Sequence, residues 1–186
     1  LSFEDVSLLG AGGVPLLDHV SFDVPRGEIL AIAGVQGNGQ SELAEVILGL
    51  RTPDSGTITL EGKDITCANP RKSLNSGVGF VPEDRMTDGM VSSFSIADNL
   101  VLDQFNAPEF AWGPSRKLGA VARNARAKQE EYDIRLTSIT DPISSLSGGN
   151  QQKVVVAREM SRELKLLVVN QPTRGVDVGS IEFIHR

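Results

Sequence analysis

The sequence predicts an α/β fold with a mixed-sheet core, an antiparallel β subdomain and a helical subdomain insertion, and three features carry that prediction. The apolar run Ile29-Leu30-Ala31-Ile32-Ala33 enters Gly34-Val35-Gln36-Gly37-Asn38-Gly39-Gln40-Ser41 and leaves through Leu43, Val46, Ile47 and Leu50 at helical spacing, which reads as strand, glycine loop, helix. Two loosely alternating segments, Leu1 to Leu9 and Leu17 to Val24, precede it as antiparallel strands. Behind it, residues 83–162 carry helical patches and no strong strand signal before Leu166-Leu167-Val168-Val169 restores one.

Taken in order, Phe3, Val6 and Leu8 mark the first strand, and Val20, Phe22 and Val24 mark the second, which ends at the turn Pro25-Arg26-Gly27-Glu28. After the first helix, the turn clusters Pro53-Asp54-Ser55-Gly56 and Glu61-Gly62-Lys63-Asp64 bracket a strand from Thr57 to Leu60. Pro70 suits the first position of a short helix that Gly77 ends, and Val78 to Val81 forms a short buried strand. Three helices are expected to start near Ser95, Leu118 and Asn150. Phe105 to Pro114 between them reads as a loop whose aromatics pack locally, with contact to a partner as the alternative. Leu166 to Val169 does not alternate, as befits a strand covered on both faces.

A chain of 186 residues with 40% hydrophobic content is enough for one globular domain with an insertion. The net charge is −6, and no cluster of Lys and Arg is long enough to track a phosphate backbone, so no nucleic-acid partner is expected. The single cysteine, Cys67, excludes an intramolecular disulfide and any multi-cysteine metal site. No apolar run is long enough to span a membrane, and no basic-then-apolar leader opens the chain, so a membrane link would pass through a partner. Leu1 is not an initiator methionine, and the helical pattern that starts at Gly179 is still running at Arg186, so a piece of a longer polypeptide is expected.

The chemistry lies in two glycine-bearing helix starts. In the first, glycines at 34, 37 and 39 let successive backbone N–H groups converge, and the following helix adds its positive end, which together suit a phosphate chain. The usual pattern has a Lys before the final hydroxyl residue; here that position is Gln40, while Ser41 remains to hold magnesium. A glycine turn that serves packing alone is the plain alternative. In the second, Leu146-Ser147-Gly148-Gly149-Asn150-Gln151-Gln152-Lys153 opens a helix that runs on through Val154 to Arg162. Here too the plain alternative is that Ser147 caps and the glycines turn.

This second stretch resembles the signature motif of ATP-binding cassette (ABC) ATPases, a branch of the P-loop NTPases, in the LSGGNQQK form common among importers of sugars and nucleosides. The resemblance covers essentially the whole chain as one ABC ATPase domain, with a nucleotide-binding core at 1–83 plus 163–186 and a helical subdomain at 84–162. Motif order agrees: the phosphate loop from Gly34, a Gln-loop equivalent with Glu83 where Gln usually stands, the signature, a Walker B strand ending near Asn170, and a D-loop at Gly175-Val176-Asp177. Val81-Pro82-Glu83-Asp84-Arg85 and Gln171-Pro172-Thr173-Arg174-Gly175-Val176-Asp177 look like the second half of a tandem two-cassette subunit.

The resemblance implies ATP and Mg2+ as cofactors. Gly34, Gly37, Asn38, Gly39, Gln40 and Ser41 would form this domain's own site, and Ser147, Gly148, Gly149 and Gln151 would face the ATP of a partner cassette. The expected partners are a second cassette, as the first half of the same chain, and transmembrane permease subunits, which places the domain peripherally on the cytoplasmic face of the cell membrane. The family's switch histidine would lie beyond Arg186, and His19 and His185 read as surface residues. The family's Walker B Asp and Glu are replaced by Asn170 and Gln171, amides that carry no charge and accept no proton, so hydrolysis at this domain's own site should be slow. An adenine-stacking aromatic is expected near 8–14, where the chain reads Leu8-Leu9-Gly10-Ala11-Gly12-Gly13-Val14. Other readings are a nucleotide-gated structural module that does not hydrolyse, and a soluble cassette ATPase in translation or repair, which would need basic surfaces or arms.

Overall fold

The computed structural model describes residues 1–177, 179, 181 and 182. His185 and the end of the expected helix at Arg186 lie outside the described residues. The chain forms two compact units, one from Leu1–Phe80 with Leu164–Val168, the other from Val81–Glu163 with Val169–Arg186.

In the first unit, strands β1 (Ser2–Leu9), β2 (Pro15–Asp23), β3 (Ser55–Leu60) and β4 (Lys63–Asp64) make an antiparallel sheet in the order β2-β1-β3-β4. The loose alternation in β1 has a physical cause. Phe3, Val6 and Leu8 are spaced three and then two apart, yet all are buried, because the register shifts between Phe3 and Val6 where Asp5 takes φ 55°. The irregularity is held by side chains. The Asp5 N–H donates to Ser21 Oγ at 2.9 Å, the His19 N–H donates to Ser7 Oγ at 3.0 Å, and His19 Nδ1 lies 2.7 Å from Asp5 Oδ1. That hydrogen bond, with the negative charge of Asp5, holds the exposed His19 imidazole above its ordinary pKa.

Helix α1 (Gln40–Ile47) lays Leu43, Val46 and Ile47 into a core with Phe3, Val6, Leu8, Leu17 and Ile58, and Phe3 stacks on Phe22 with ring centroids 4.7 Å apart. Glu61 and Gly62, both at positive φ, make the two-residue turn between β3 and β4. The sequence reading took that whole stretch as a turn. Helix α2 (Pro70–Asn75) starts as expected with Pro at its first position, and Asn69 Oδ1 accepts from the Lys72 N–H at 2.9 Å.

Two expectations fail here. Ile29 to Ala33 is irregular backbone rather than a strand, with Ile29 97% and Ile32 53% exposed and no strand paired to it among the described residues. An apolar run becomes a strand only where a ladder receives its N–H and C=O groups, and none does so here. The parallel pair is instead β5 (Val78–Val81) with β8 (Leu166–Val169), whose backbone contacts advance together from Gly77 with Leu166 to Val81 with Asn170. Nor is β8 covered on both faces, since Leu167 and Val169 are exposed while Leu166 and Val168 are half-buried against the core.

The second unit is helical, with α3 (Ile96–Asn99), α4 (Leu118–Glu131) and α5 (Gly148–Glu159) starting where the sequence placed them. Ile96, Leu100, Val101, Val121, Ala125, Ile134, Ile143, Val154 and Ala157 form its core. A small hairpin, β6 (Ala111–Trp112) with β7 (Ser115–Arg116), turns at Gly113 inside the segment read as a loop. Its aromatics divide: Phe110 packs on the core, while Phe105 and Trp112 are exposed, Trp112 at 82%.

Asn99 is fully buried and fully satisfied. Its Nδ2 donates to the carbonyls of Val91, Phe94 and Ser95 at 3.1, 3.3 and 3.0 Å, and its Oδ1 accepts from the Val91 N–H at 2.9 Å. Replacing it by Ala takes the partner from the Val91 N–H and one of two hydrogen bonds from each of the carbonyls of Val91, Phe94 and Ser95, so urea unfolding of Asn99→Ala should show a loss of about 1 to 3 kcal/mol. Asn99→Asp keeps the acceptor but turns a carboxylate oxygen onto three carbonyls, and should lose at least as much at neutral pH. A loss under about 1 kcal/mol in Asn99→Ala would mean that water replaces the amide.

Candidate functional site

In the first unit the loop ahead of α1 has the shape its glycines allow. Gly37 and Gly39 take φ +90° and +94°, and Gly39 lies so close to the Leu16 carbonyl that a Cβ would stand 2.8 Å from the oxygen. Asn38 and Ser41 are exposed, Ser41 on the first turn of α1. Gln40 does not point outward as a cation reaching for phosphate would. Its Oε1 accepts from the Asn38 N–H at 3.2 Å and its Nε2 donates to the Val35 carbonyl at 3.2 Å, so the side chain folds into its own loop. Gly34 makes room for it, since a Cβ there would stand 2.2 Å from Gln40 Nε2. The loop therefore offers backbone donors, and Gln40 already uses one of them.

In the second unit, the sequence-selected residues Glu83, Gly148 and Gln151 meet at the Arg174–Gly175 turn by way of Arg85 and Arg174, while Asn170, Gln171 and Asp177 flank it. Past β5 the chain turns at Asp84, whose carboxylate caps the single π-helical turn Arg85–Gly89 by accepting from the Met86 and Thr87 N–H groups at 2.9 and 3.3 Å and from the Thr87 hydroxyl at 3.1 Å. Glu83 is ion-paired to Arg174. Arg85 donates to the carbonyls of Arg174 and Gly175 at 3.0 and 3.2 Å and to Gln151 Oε1 at 3.4 Å. Asn170 follows β8 with its N–H on the Val81 carbonyl at 2.9 Å, and Gln171 turns the chain at φ 43°. The Asp177 carbonyl accepts from the Ile181 N–H at 3.0 Å.

The signature stretch divides by facing. Ser147 is exposed and stands just before α5 in extended conformation. It does not cap the helix with its side chain; its Oγ accepts from Asn150 Nδ2 at 2.9 Å, while Asn150 Oδ1 accepts from the Arg135 N–H at 2.8 Å. Gly149 is buried. Gln151, expected to face a partner's nucleotide, is only 7% exposed, and its Nε2 donates to the carbonyls of Leu146 and Ile143 at 3.1 and 3.4 Å. It fastens the approach to the helix. Lys153 is buried as well, with Nζ 2.7 Å from the Asp133 carbonyl and 3.1 Å from its Oδ2; that contact holds the Asp133 carboxyl below its ordinary pKa. Arg85 and Asn150 are side chains of this region whose contacts sequence reasoning passed over. Both lay inside quoted motifs, but neither residue type announces a contact to another segment.

For a metal ion the donors are spare. In the first unit Ser41 offers a hydroxyl, in the second Asn170 and Gln171 offer amides, and no cluster of His, Cys, Asp and Glu among the described residues could hold a metal by itself. Oxygen donors of this kind would supplement a magnesium ion carried by phosphate oxygens, but cannot hold one alone.

A glycine loop opening one helix, a serine-glycine start to another, and a two-unit α/β architecture define a nucleotide-binding cassette. The chain belongs to the ABC transporter family, whose model matches residues 17–174. It is 46% identical over 186 residues, 99% of its length, to the glucose import ATP-binding protein TsgD13 of Haloferax volcanii. It is 44% identical to the guanosine import ATP-binding protein NupO of Bacillus subtilis, over an aligned span of 187 positions that covers 100% of the chain. It spans about a third of these relatives, 34% of the first and 36% of the second. Among solved structures, a nucleotide-free ATP-binding cassette from an ABC transporter matches 98% of the chain, with 73% of that structure covered, at a TM-score of 0.79 and 26% identity. A bacterial ABC transporter cassette solved as a dimer shares the fold at a TM-score of 0.79 and 20% identity, covering 98% of this chain and 78% of that one.

Asp84 gives this region a pH signature. Its carboxyl is held below the ordinary carboxylate pKa, first by the Thr87 hydroxyl and then by the Met86 and Thr87 N–H groups. A pKa lowered by folding adds stability that is present above the unfolded value and is lost as pH falls through the folded one. Melting temperatures of the native protein and Asp84→Ala should therefore differ at neutral pH and converge as the pH drops below the carboxylate range. A gap that persists at the acid end would show that the charge of Asp84 is not what holds the turn.

Proposed function

We propose that this chain is an ATP-binding cassette of an importer for simple sugars or nucleosides, that its signature stretch completes the ATP site of a second cassette, and that its own phosphate loop is a weak site. The relatives named for glucose and guanosine import support the transport class. The second cassette would be the other half of a tandem subunit, the permease would supply the membrane spans, and the domain would sit peripherally on the cytoplasmic face. No described helix of this chain is long and apolar enough to cross a membrane.

The observation that carries the division of labour is the contrast between the two helix starts. Ser147 is exposed, its hydroxyl is held by Asn150, and it stands immediately ahead of the first turn of α5. Such a helix start stabilises an incoming γ-phosphate through its dipole and N–H groups. At the other start Gln40 lacks the charge of a lysine and occupies the Asn38 N–H itself, so a phosphate chain and the Gln40 amide compete for one donor. Asn170 and Gln171 add no carboxylate to orient or deprotonate water. ATP with Mg2+ is the expected ligand at both sites: Ser41 is this chain's hydroxyl for the metal at its own site, and Gly34, Gly37 and Gly39 shape the backbone that cradles phosphate.

The test compares the two starts in the assembled transporter. Ser147→Arg puts bulk and a fixed charge at the docking face, and should lower ATP turnover by about 10²- to 10³-fold, the usual worth of a preorganised donor at developing charge. Gln40→Ala removes neutral hydrogen bonds worth about 0.5 to 1.5 kcal/mol and frees the Asn38 N–H, so turnover should change by less than about tenfold. Equal losses would refute the division, and a larger loss from Gln40→Ala would reverse it.

A further inference from the structure

We propose that Arg85 is a positioning residue that locks the start of the signature helix to the Arg174–Gly175 turn, so that the exposed Ser147 and the approach to Asp177 move as one body. This rests on the reading of the signature as the surface presented to a second cassette.

The lock is visible in its contacts. The guanidinium spans three acceptors on two segments: the carbonyls of Arg174 and Gly175, and Gln151 Oε1 on α5. Gln151 passes the constraint on, because its amide nitrogen holds the carbonyls of Ile143 and Leu146 just before Ser147. Gly148 belongs to the same contact. A Cβ at 148 would stand 2.6 Å from Arg85 Nη2 and 2.9 Å from the Gly175 carbonyl, so the guanidinium and the turn close directly onto the bare backbone of the helix. A second strap runs parallel to the first, from Arg174 to Glu83, two residues ahead of Arg85. The Asp84 cap fixes the backbone from which Arg85 reaches out. A lysine has one compact ammonium where arginine has a planar fork, and cannot reach three acceptors that diverge in this way.

The experiment uses the assembled transporter with Arg85→Ala, Arg85→Lys and Gly148→Ala, and Ser147→Arg as a separate control. Steady-state ATP turnover and hydrogen–deuterium exchange of the 147–151 and 174–177 peptides are read together. Arg85→Ala should lower kcat by about 10- to 100-fold, as expected for misplaced groups, with KM for ATP changed less than about twofold. Exchange should rise in both peptides and stay unchanged in β1. Arg85→Lys should recover only part of kcat. Gly148→Ala attacks the lock from the opposite side without removing a charge, and should raise exchange in the same two peptides. Should Arg85→Ala fail to fold, Arg85→Lys and Gly148→Ala decide the matter by the same readouts. Unchanged exchange at 174–177, unchanged kcat, or full recovery by lysine would overturn the proposal. If Ser147→Arg leaves turnover intact, the reading of the signature fails, while the exchange data still decide whether the lock exists.

Discussion

The geometry of the second unit depends on one buried amide. Asn99 has no exposure, and its four hydrogen bonds fold residues 91–95 around it. That segment then serves as the template for the stretch that leads to α5. The Phe94 carbonyl accepts from the Ile143 N–H at 3.0 Å, the Ile96 N–H donates to Asp141, the Ala97 N–H donates to Ile139, and Ser95 bridges Pro142. Ile143 is fully buried, so its backbone has little freedom once Phe94 is fixed. The exposed Ser147 is therefore held at the end of a chain of obligatory pairings that begins with a side chain far from it in sequence.

Charge is distributed with the same economy. On α5, Arg158 pairs with Glu159 at 2.9 Å and donates to the Gly89 carbonyl at 2.8 Å, and just past the helix Arg162 reaches both Glu159 and Asp103 at 2.6 Å. These groups lie in the interior. Burial, followed by the nearby negative charge of Glu159, pushes the Asp103 carboxyl above its ordinary pKa. Buried pairs of this kind add little net stability but cost several kcal/mol when one partner is removed, so they set α5 in a single position. By contrast, the described positions at which a nucleotide-handling charge would be expected, Gln40, Asn170 and Gln171, are neutral amides.

What the sequence made legible follows the range of the signals. Pro70 at the first turn of α2 and Ser95 ahead of Ile96 are local devices that suit their own helix start, and each appears where expected, while Ser147 stands just ahead of α5 without capping it. The antiparallel sheet was legible because its residues alternate, although the irregularity at Asp5 was not, since its cause lies in Ser21 and His19 on the neighbouring strand. Ile29 to Ala33 and the exposed face of β8 went the other way. An unalternating apolar run reports a preference for burial, but whether a ladder or a covering layer meets it depends on distant segments. At the site, the glycines and the lost charges were legible as residue types. The Arg85 contacts were not, because they join backbone carbonyls about ninety residues away, and a carbonyl carries no residue identity.

The signature stretch shows why a contiguous motif does not make a contiguous surface. An α-helix advances about 100° per residue, so neighbours in the string face different surroundings. Ser147 precedes the helix and is exposed, Gly148 leaves room for a guanidinium, Gly149 is buried, and Asn150 turns back to orient the serine hydroxyl. Gln151 and Lys153 then face inward, each tied to a carbonyl of a neighbouring segment. Only the first part of the motif is exposed; Gln151 and Lys153 are tied inward. On the proposed reading of the signature, a substitution at Gln151 or Lys153 would disturb where Ser147 stands, and should be read in kinetics as a loss of alignment rather than a loss of binding.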